Sequence, residues 1–366
     1  MRIVIVGGTG NFGARICRSL AADALHEIIA TGRSERSSST LPCTQGVRTA
    51  RLDILSPSFR TDFAKLRPEL VVHCAGPFQG QDYRVAEAAC ALGAHYVDLS
   101  DGRDFVAGFA RHLDIRARSA GICAVSGASS VPALSSAVVD KLSAGFSRVD
   151  RISVAIAPGQ QAPRGVATLK AVFSYAGAPI PRWEDGSWRE AYGWQDLRTM
   201  IFPGLGTRLA AACDVPDLAL FPQRYPSVRT VEFHAALELR IQHAVLWLAG
   251  ALRRHGLAVP LARGARLLDR MSTMLLDRFG SENGGMRVSV GGVRPDGTPG
   301  QSVWHLTAPH KNGPEVPCMA ALLVTRKLLA GPPPFRGARA CMGLLDLAEF
   351  EPLFRLWGIS TSVEEQ

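Results

Sequence analysis

Lysine is scarce in this chain. Lys65, Lys141, Lys170, Lys311 and Lys327 are the only lysines among 41 basic residues, so arginine carries almost all of the net charge of +9. The arginines are scattered, without a basic tract interleaved with aromatic residues. That argues against a nucleic-acid partner and leaves small anionic molecules compatible. Long apolar runs are missing too. The longest near the middle, Ala244 to Leu252, stops at Arg253 and Arg254, far short of the roughly 20 residues of a bilayer span, so no stable membrane insertion is expected. From Met1 and Arg2 the chain passes into a strand-like run with no small-residue cleavage site, so a cytoplasmic protein without a signal peptide is expected. None of the eight cysteines forms a C-x-x-C pair, and no histidine falls in an H-E-x-x-H spacing. Reduced, buried thiols are expected, and no metal. No tyrosine has a lysine four residues on, which excludes the Tyr-x-x-x-Lys chemistry that protonates a forming alkoxide. Internal repeats and low-complexity tracts are absent as well.

What is present is an alternation of short β-branched runs with helical patterns. "RIVIV" is followed by "NFGARICRSLAADAL", then by "EIIAT", "GVRTARLDI", "ELVVHCAGP", "HYVDLS" and "ICAVSGA", with helix patterns between them. Strands alternating with helices of about ten residues imply a parallel sheet covered on both faces. Gly8, Gly10 and Gly13 give G-x-G-x-x-G directly after the first strand. In that context Gly8 is expected to permit the tight turn, Gly10 the approach of a pyrophosphate, and Gly13 close helix–strand packing. Thr9, Asn11 and Phe12 complete the loop, with the phosphates at the helix N-terminus.

The second strand ends in Thr31-Gly32-Arg33-Ser34, where an NAD site would carry a carboxylate for the ribose 2′-OH. Arg33 can grip a 2′-phosphate and Ser34 can donate a further bond. A charge-assisted hydrogen bond of about 1.5–3 kcal/mol gives a roughly ten- to hundredfold preference, so NADP is expected ahead of NAD. Asp53 is placed to accept from the adenine amino group. In the loop after the fourth strand, Ala75, Gly76 and Pro77 are expected beside the cofactor ribose, with Phe78 covering the nicotinamide side. Candidate acid–base groups follow the fifth strand: Asp98 and Asp101, at the sheet edge where open α/β folds place ligands. Arg103 can hold a substrate carboxylate, and Ser129 and Ser130 the nicotinamide carboxamide or the substrate. His73, on an apolar strand, reads as a core histidine.

With "GGTGNFG", "HCAGPFQGQDYRVAEAACALGAHYVDLSDGRDF", "GASSVPALSSAVVD" and "VWHLTAPHKNGPEVPCMAALLVTRKLLAG" in view, the chain resembles the saccharopine dehydrogenase-like family. The resemblance covers the first third well and the last quarter more loosely. It implies an NAD(P)-dependent oxidoreductase with an N-terminal Rossmann domain, an α+β substrate domain and a C-terminal helix returning to the first. The expected bounds are 1–130 for the dinucleotide-binding domain, 131–313 for the substrate or oligomerisation domain, and 314–366 for a segment packing back on the first. Paired strand candidates in the second domain, "GMRVSVGGVR" and "SVWHLTAP", leave room for a homodimer. The region from Gly159 to Arg229 carries many Gly, Pro and Trp residues; within it "EDGSW" and "YGW" read as an aromatic loop, while "RGARLLDRMSTMLLDRFG" reads as helix and the tail "SVEEQ" as mobile.

Iminium reduction needs no strong acid, because the substrate nitrogen already bears its proton. The missing Tyr/Lys pair therefore favours a C–N centre in a small-molecule substrate. Two other readings stay open: a C=C reductase of the enoyl type acting on an apolar substrate, and an NADP-binding redox sensor without turnover.

Overall fold

The computed structural model describes residues 1–23, 25–33, 46–163, 165–257 and 273–366. Two compact units emerge, each made of two stretches of chain: Met1–Leu134 with Glu315–Leu345, and Ser135–Pro314 with Asp346–Gln366. The first stretch holds strands β1 (Arg2–Val6), β2 (Glu27–Gly32), β3 (Val47–Arg51), β4 (Leu70–His73), β5 (His95–Asp98) and β6 (Cys123–Ser126), with helices α1 (Asn11–Ala21), α2 (Phe59–Lys65), α3 (Arg84–Ala91) and α4 (Arg103–Ser119). The next stretch holds α5 (Ser135–Ser143), β7 (Arg148–Ala157), α6 (Val166–Ser174), β8 (Pro179–Glu184), β9 (Ser187–Tyr192), β10 (Arg198–Phe202), β11 (Gly206–Ala212), α7 (Asp217–Arg224), β12 (Thr230–Ala235), α8 (Arg240–Arg254), β13 (Gly284–Val293) and β14 (Pro299–Ala308). Then α9 (Val316–Ala330) and β15 (Gly337–Ala340) return to the first unit, while α10 (Leu347–Leu356) and β16 (Ser360–Glu365) end the second.

The first unit is a doubly wound sheet in the order β15-β6-β5-β4-β1-β2-β3, parallel throughout. Its central strands read as unbroken apolar runs because both faces are covered: Ile3, Val4, Ile5, Leu70, Val71 and Val72 are wholly buried. On one face α2, α3 and α4 contribute Phe59, Phe63, Val85, Ala89, Phe105, Phe109 and Leu113 to a core with Val4, Val71 and Tyr96. On α1, Gly13, Ile16, Cys17 and Leu20 make the buried stripe, with α9 beside it. The α9 helix is the expected C-terminal helix returning to the first unit.

The second unit is a mixed sheet in the order β10-β11-β12-β7-β13-β14-β16, in which β7 runs parallel to β12 and antiparallel to β13. Both expected strands β13 and β14 pair over ten registered positions. Three expectations need correction. The last segment divides: Glu315–Leu345 belongs to the first unit but Asp346–Gln366 to the second. The tail is not loose, because β16 hydrogen-bonds along β14 from Thr307↔Ser360 to Ser302↔Glu365. The stretch read as aromatic loop is an antiparallel hairpin of β8 and β9, turning at Asp185 (φ 51°) and Gly186 (φ 79°), the pair of left-handed residues a two-residue type I′ turn requires. The helix expected from Arg263 lies for the most part outside the described residues. Among the described residues no helix is long and apolar enough to cross a membrane.

Candidate cofactor site at the strand-order switch

Strand order reverses between β1 and β4, so their carboxyl ends flank the crevice where open α/β sheets bind ligands. Two loops meet there, one from Gly7 and one from Cys74, and they touch backbone to backbone. A Cβ on Gly7 would stand 2.9 Å from the Ala75 amide nitrogen, and Gly7 has φ +78°. The tight turn expected of Gly8 therefore belongs to Gly7. Gly8 serves close packing instead, since a Cβ on it would meet Ala30 Cα of β2 at 2.8 Å. Gly13 behaves as expected: its Cβ would lie 2.3 Å from the Gly7 carbonyl oxygen. Gly10 caps α1 in an extended conformation, its N–H donating to Gly7 O at 2.9 Å. It is exposed, and Gly7 O is the one heavy atom near the position of its missing Cβ. This is the backbone surface a pyrophosphate needs, and the loop fits a dinucleotide. Thr9, Asn11 and Phe12 are half-buried around it, and the Arg15–Glu315 ion pair at 3.1 Å ties α1 to the start of α9.

Arg33 follows β2 directly and is exposed, while Ser34 lies outside the described residues. Asp53, half-buried just past β3, already accepts the Leu55 N–H at 3.0 Å through Oδ1. Ala75, Gly76 and Pro77 are half-buried, and Gln81 fixes the loop by donating to Ala75 O (3.0 Å) and Pro77 O (3.2 Å). Phe78 does not cover this crevice. It is 5% exposed and packs edge-on against His73 and Phe105, because the loop turns it inward to the α2–α4 core. His73 is a core residue, bonded through Nδ1 to the Tyr96 hydroxyl at 2.9 Å, and burial lowers its pKa to about 3.

Asp98 stands at the end of β5. It is wholly buried, and its Oδ1 accepts from Ser100 N (2.9 Å), Ser126 Oγ (3.0 Å) and Gly127 N (2.8 Å). Burial raises its pKa to about 6 against the lowering by those donors. The residue fastens the end of β5 to the turn after β6. Arg103 is likewise buried at the start of α4 and engaged within the protein. Ser129 and Ser130 are buried in the turn after β6.

Asp101 remains at the open edge, half-buried, with burial raising its pKa. Gln79 donates to its Oδ1 at 3.2 Å. The other amide atom of Gln79, Oε1, is a buried acceptor without a donor among the described residues. The sequence reading missed Gln79, although it stands one residue past Phe78 in the loop already singled out. Among the described residues no group of three His, Cys, Asp or Glu could hold a metal ion.

Aligned on backbone, saccharopine dehydrogenase (L-Glu forming) from Saccharomyces cerevisiae superposes with a TM-score of 0.70, covering 100% of this chain and 99% of that one at 13% identity. The chain has the saccharopine dehydrogenase fold. Homospermidine synthase from Legionella pneumophila, solved in complex with NAD, shares it at a TM-score of 0.62 and 11% identity, over 100% of this chain and 91% of that one. Within the saccharopine dehydrogenase fold seen here, residues 3–94 match the NAD dependent epimerase/dehydratase family, the stretch that contains the glycine loop, Arg33 and the loop after β4. No curated protein matches the chain in sequence.

Proposed function

We propose that the chain is an oxidoreductase of the saccharopine dehydrogenase-like family that uses NADP ahead of NAD and acts on a small metabolite at a C–N centre. The observation that carries the reading is the β1–α1 turn: Gly7, Gly8 and Gly13 are packed too closely on Ala75, Ala30 and Gly7 for side chains, while Gly10 leaves backbone exposed at the helix start. The glycine loop and α1 would hold the pyrophosphate, Arg33 and Ser34 the 2′-phosphate, Asp53 the adenine, and Ala75 to Pro77 the ribose. The cofactor, when bound, supplies or accepts the hydride.

Gln79 and Asp101 support the C–N assignment. A substrate N–H would satisfy the buried Gln79 Oε1, and a carboxyl whose pKa burial raises can take up or release the amine proton beside it. No alkoxide-protonating tyrosine–lysine pair is needed for an iminium. Calorimetric titration with NADPH and NADH, on protein freed of copurified nucleotide, tests the cofactor assignment. NADPH should bind at least tenfold more tightly, and Arg33→Asp should remove most of that difference. Equal affinities in the native protein would sink the role of Arg33, and binding of neither would sink the enzyme reading.

A further inference from the structure

Away from the strand-order switch, at the β15 edge of the first sheet, α4 on one side and β15 with the segment entering it on the other line a cleft of about 670 Å³. Arg111 and Arg118 of α4 line it from one side, and Phe335, Arg336 and Arg339 from the other. The lining holds one carboxylate, Asp114, against four guanidiniums. That carboxylate is already committed: Oδ2 accepts from Arg118 Nε at 2.7 Å, and Oδ1 from the Ala338 N–H at 2.8 Å. The fit around it is close, since a side chain on Gly337 would collide with Asp114 Oδ1 at 2.3 Å. Arg339 is held in place, its guanidinium 3.8 Å above the centre of the Phe335 ring.

An edge strand is often guarded by charge against pairing with another chain. Here Asp114 already occupies the outward N–H of Ala338, and four arginines around one concavity exceed what guarding requires. Guanidinium forks match phosphate oxygens, and they do so best when stacking has fixed their orientation. The volume lies within the range of small-molecule clefts, and the charge is gathered in a hollow, not spread as the stripe a polyanion follows.

We propose that this cleft is a second, separate anion site, which takes a phosphorylated small molecule with its phosphoryl groups on Arg111, Arg336 and Arg339. The site stands on its own whether or not the chain turns over a substrate with NADP. The experiment is calorimetric titration of inorganic pyrophosphate into three full-length proteins: native, Arg336→Gln/Arg339→Gln, and Arg33→Gln. The expected result is saturable binding to the native protein, at least tenfold weaker in the double variant and retained in Arg33→Gln. Should the double variant misfold by circular dichroism, Arg111→Gln, an exposed change on a helix surface, replaces it with the same expectation. Absence of saturable binding, affinity unchanged by the cleft variants, or loss in Arg33→Gln alone would each overturn the proposal.

Discussion

Asp217 opens α7 almost fully out of solvent, and burial, partly offset by Ser135, pushes its pKa up to about 7. Because the folded value lies above the ordinary carboxylate value of 3.8, the native state binds the extra proton between about pH 4 and pH 7. The group's stabilising contribution is full below that window and is lost as pH rises through it. Asp217→Asn should therefore raise stability at pH 8 by roughly 1–3 kcal/mol and by much less at pH 5. Denaturant unfolding at the two pH values checks this, and a gain independent of pH would refute it. Asp101, raised in the same direction, belongs to chemistry under the proposed function. Asp101→Asn should cut turnover by at least about tenfold while leaving NADPH affinity intact, as steady-state rates and titration would show. Unchanged turnover would remove it from the mechanism. These two behaviours differ in how far the sequence discloses them. Asp101 sits in a motif visible as "YVDLSDGRDF". The burial of Asp98, Arg103 and Phe78 is invisible there, because a side chain's surroundings at an element end or in a loop depend on what packs beneath it: His73 and Phe105 for Phe78, and the turn after β6 for Asp98.

At the scale of elements, the β1–α1 turn was legible because its chemistry is local: a strand, three spaced glycines and a helix stripe lie within one short window. Which glycine does what was not, since Gly7 is required by Ala75, far along the chain. Gly13→Ala tests the packing directly. A methyl 2.3 Å from a backbone oxygen must displace the loop, so stability should fall by about 1–3 kcal/mol and nucleotide binding should weaken with it. A normal melting temperature together with unchanged NADPH affinity would show that the loop yields freely. The β8–β9 hairpin was missed for the opposite reason. Its Asp185-Gly186 turn signal is present in "EDGS", but exposed Ser187, Trp188, Arg189 and Glu190 supply none of the apolar alternation that marks a strand. β16 is the extreme case: every one of its residues is exposed, so only its pairing with β14 defines it.

That pairing matters for the whole molecule. β16 covers the edge of β14 along Val303, Trp304 and Leu306, and Glu365 adds bonds to Arg294 and Ser302, each at 2.7 Å. A chain ending at Ile359 should present a long apolar edge strand and self-associate. Light scattering and a lowered melting temperature would report it, and a monodisperse protein of native stability would show β16 to be dispensable. The doubly wound sheet was readable from the strand–helix alternation, and the return of α9 followed from the family resemblance. The partition of the last segment was not, because nothing in the composition around Leu345 and Asp346 marks a boundary.

The two-stretch construction of the first unit also sets a timetable. A ribosome delivers β1 to β6 early, yet β15, which closes the open side of β6, and α9, which lies beside α1, emerge only after the entire Ser135–Pro314 stretch has been made. Throughout that interval the nascent sheet offers an unpaired parallel edge, and Asp114 has no Ala338 amide to hold. Vectorial synthesis thus keeps the first unit unfinished until that long intervening stretch has emerged. Any message truncated before Gly337 would release a polypeptide with its sheet permanently open, a natural client for chaperones and proteases.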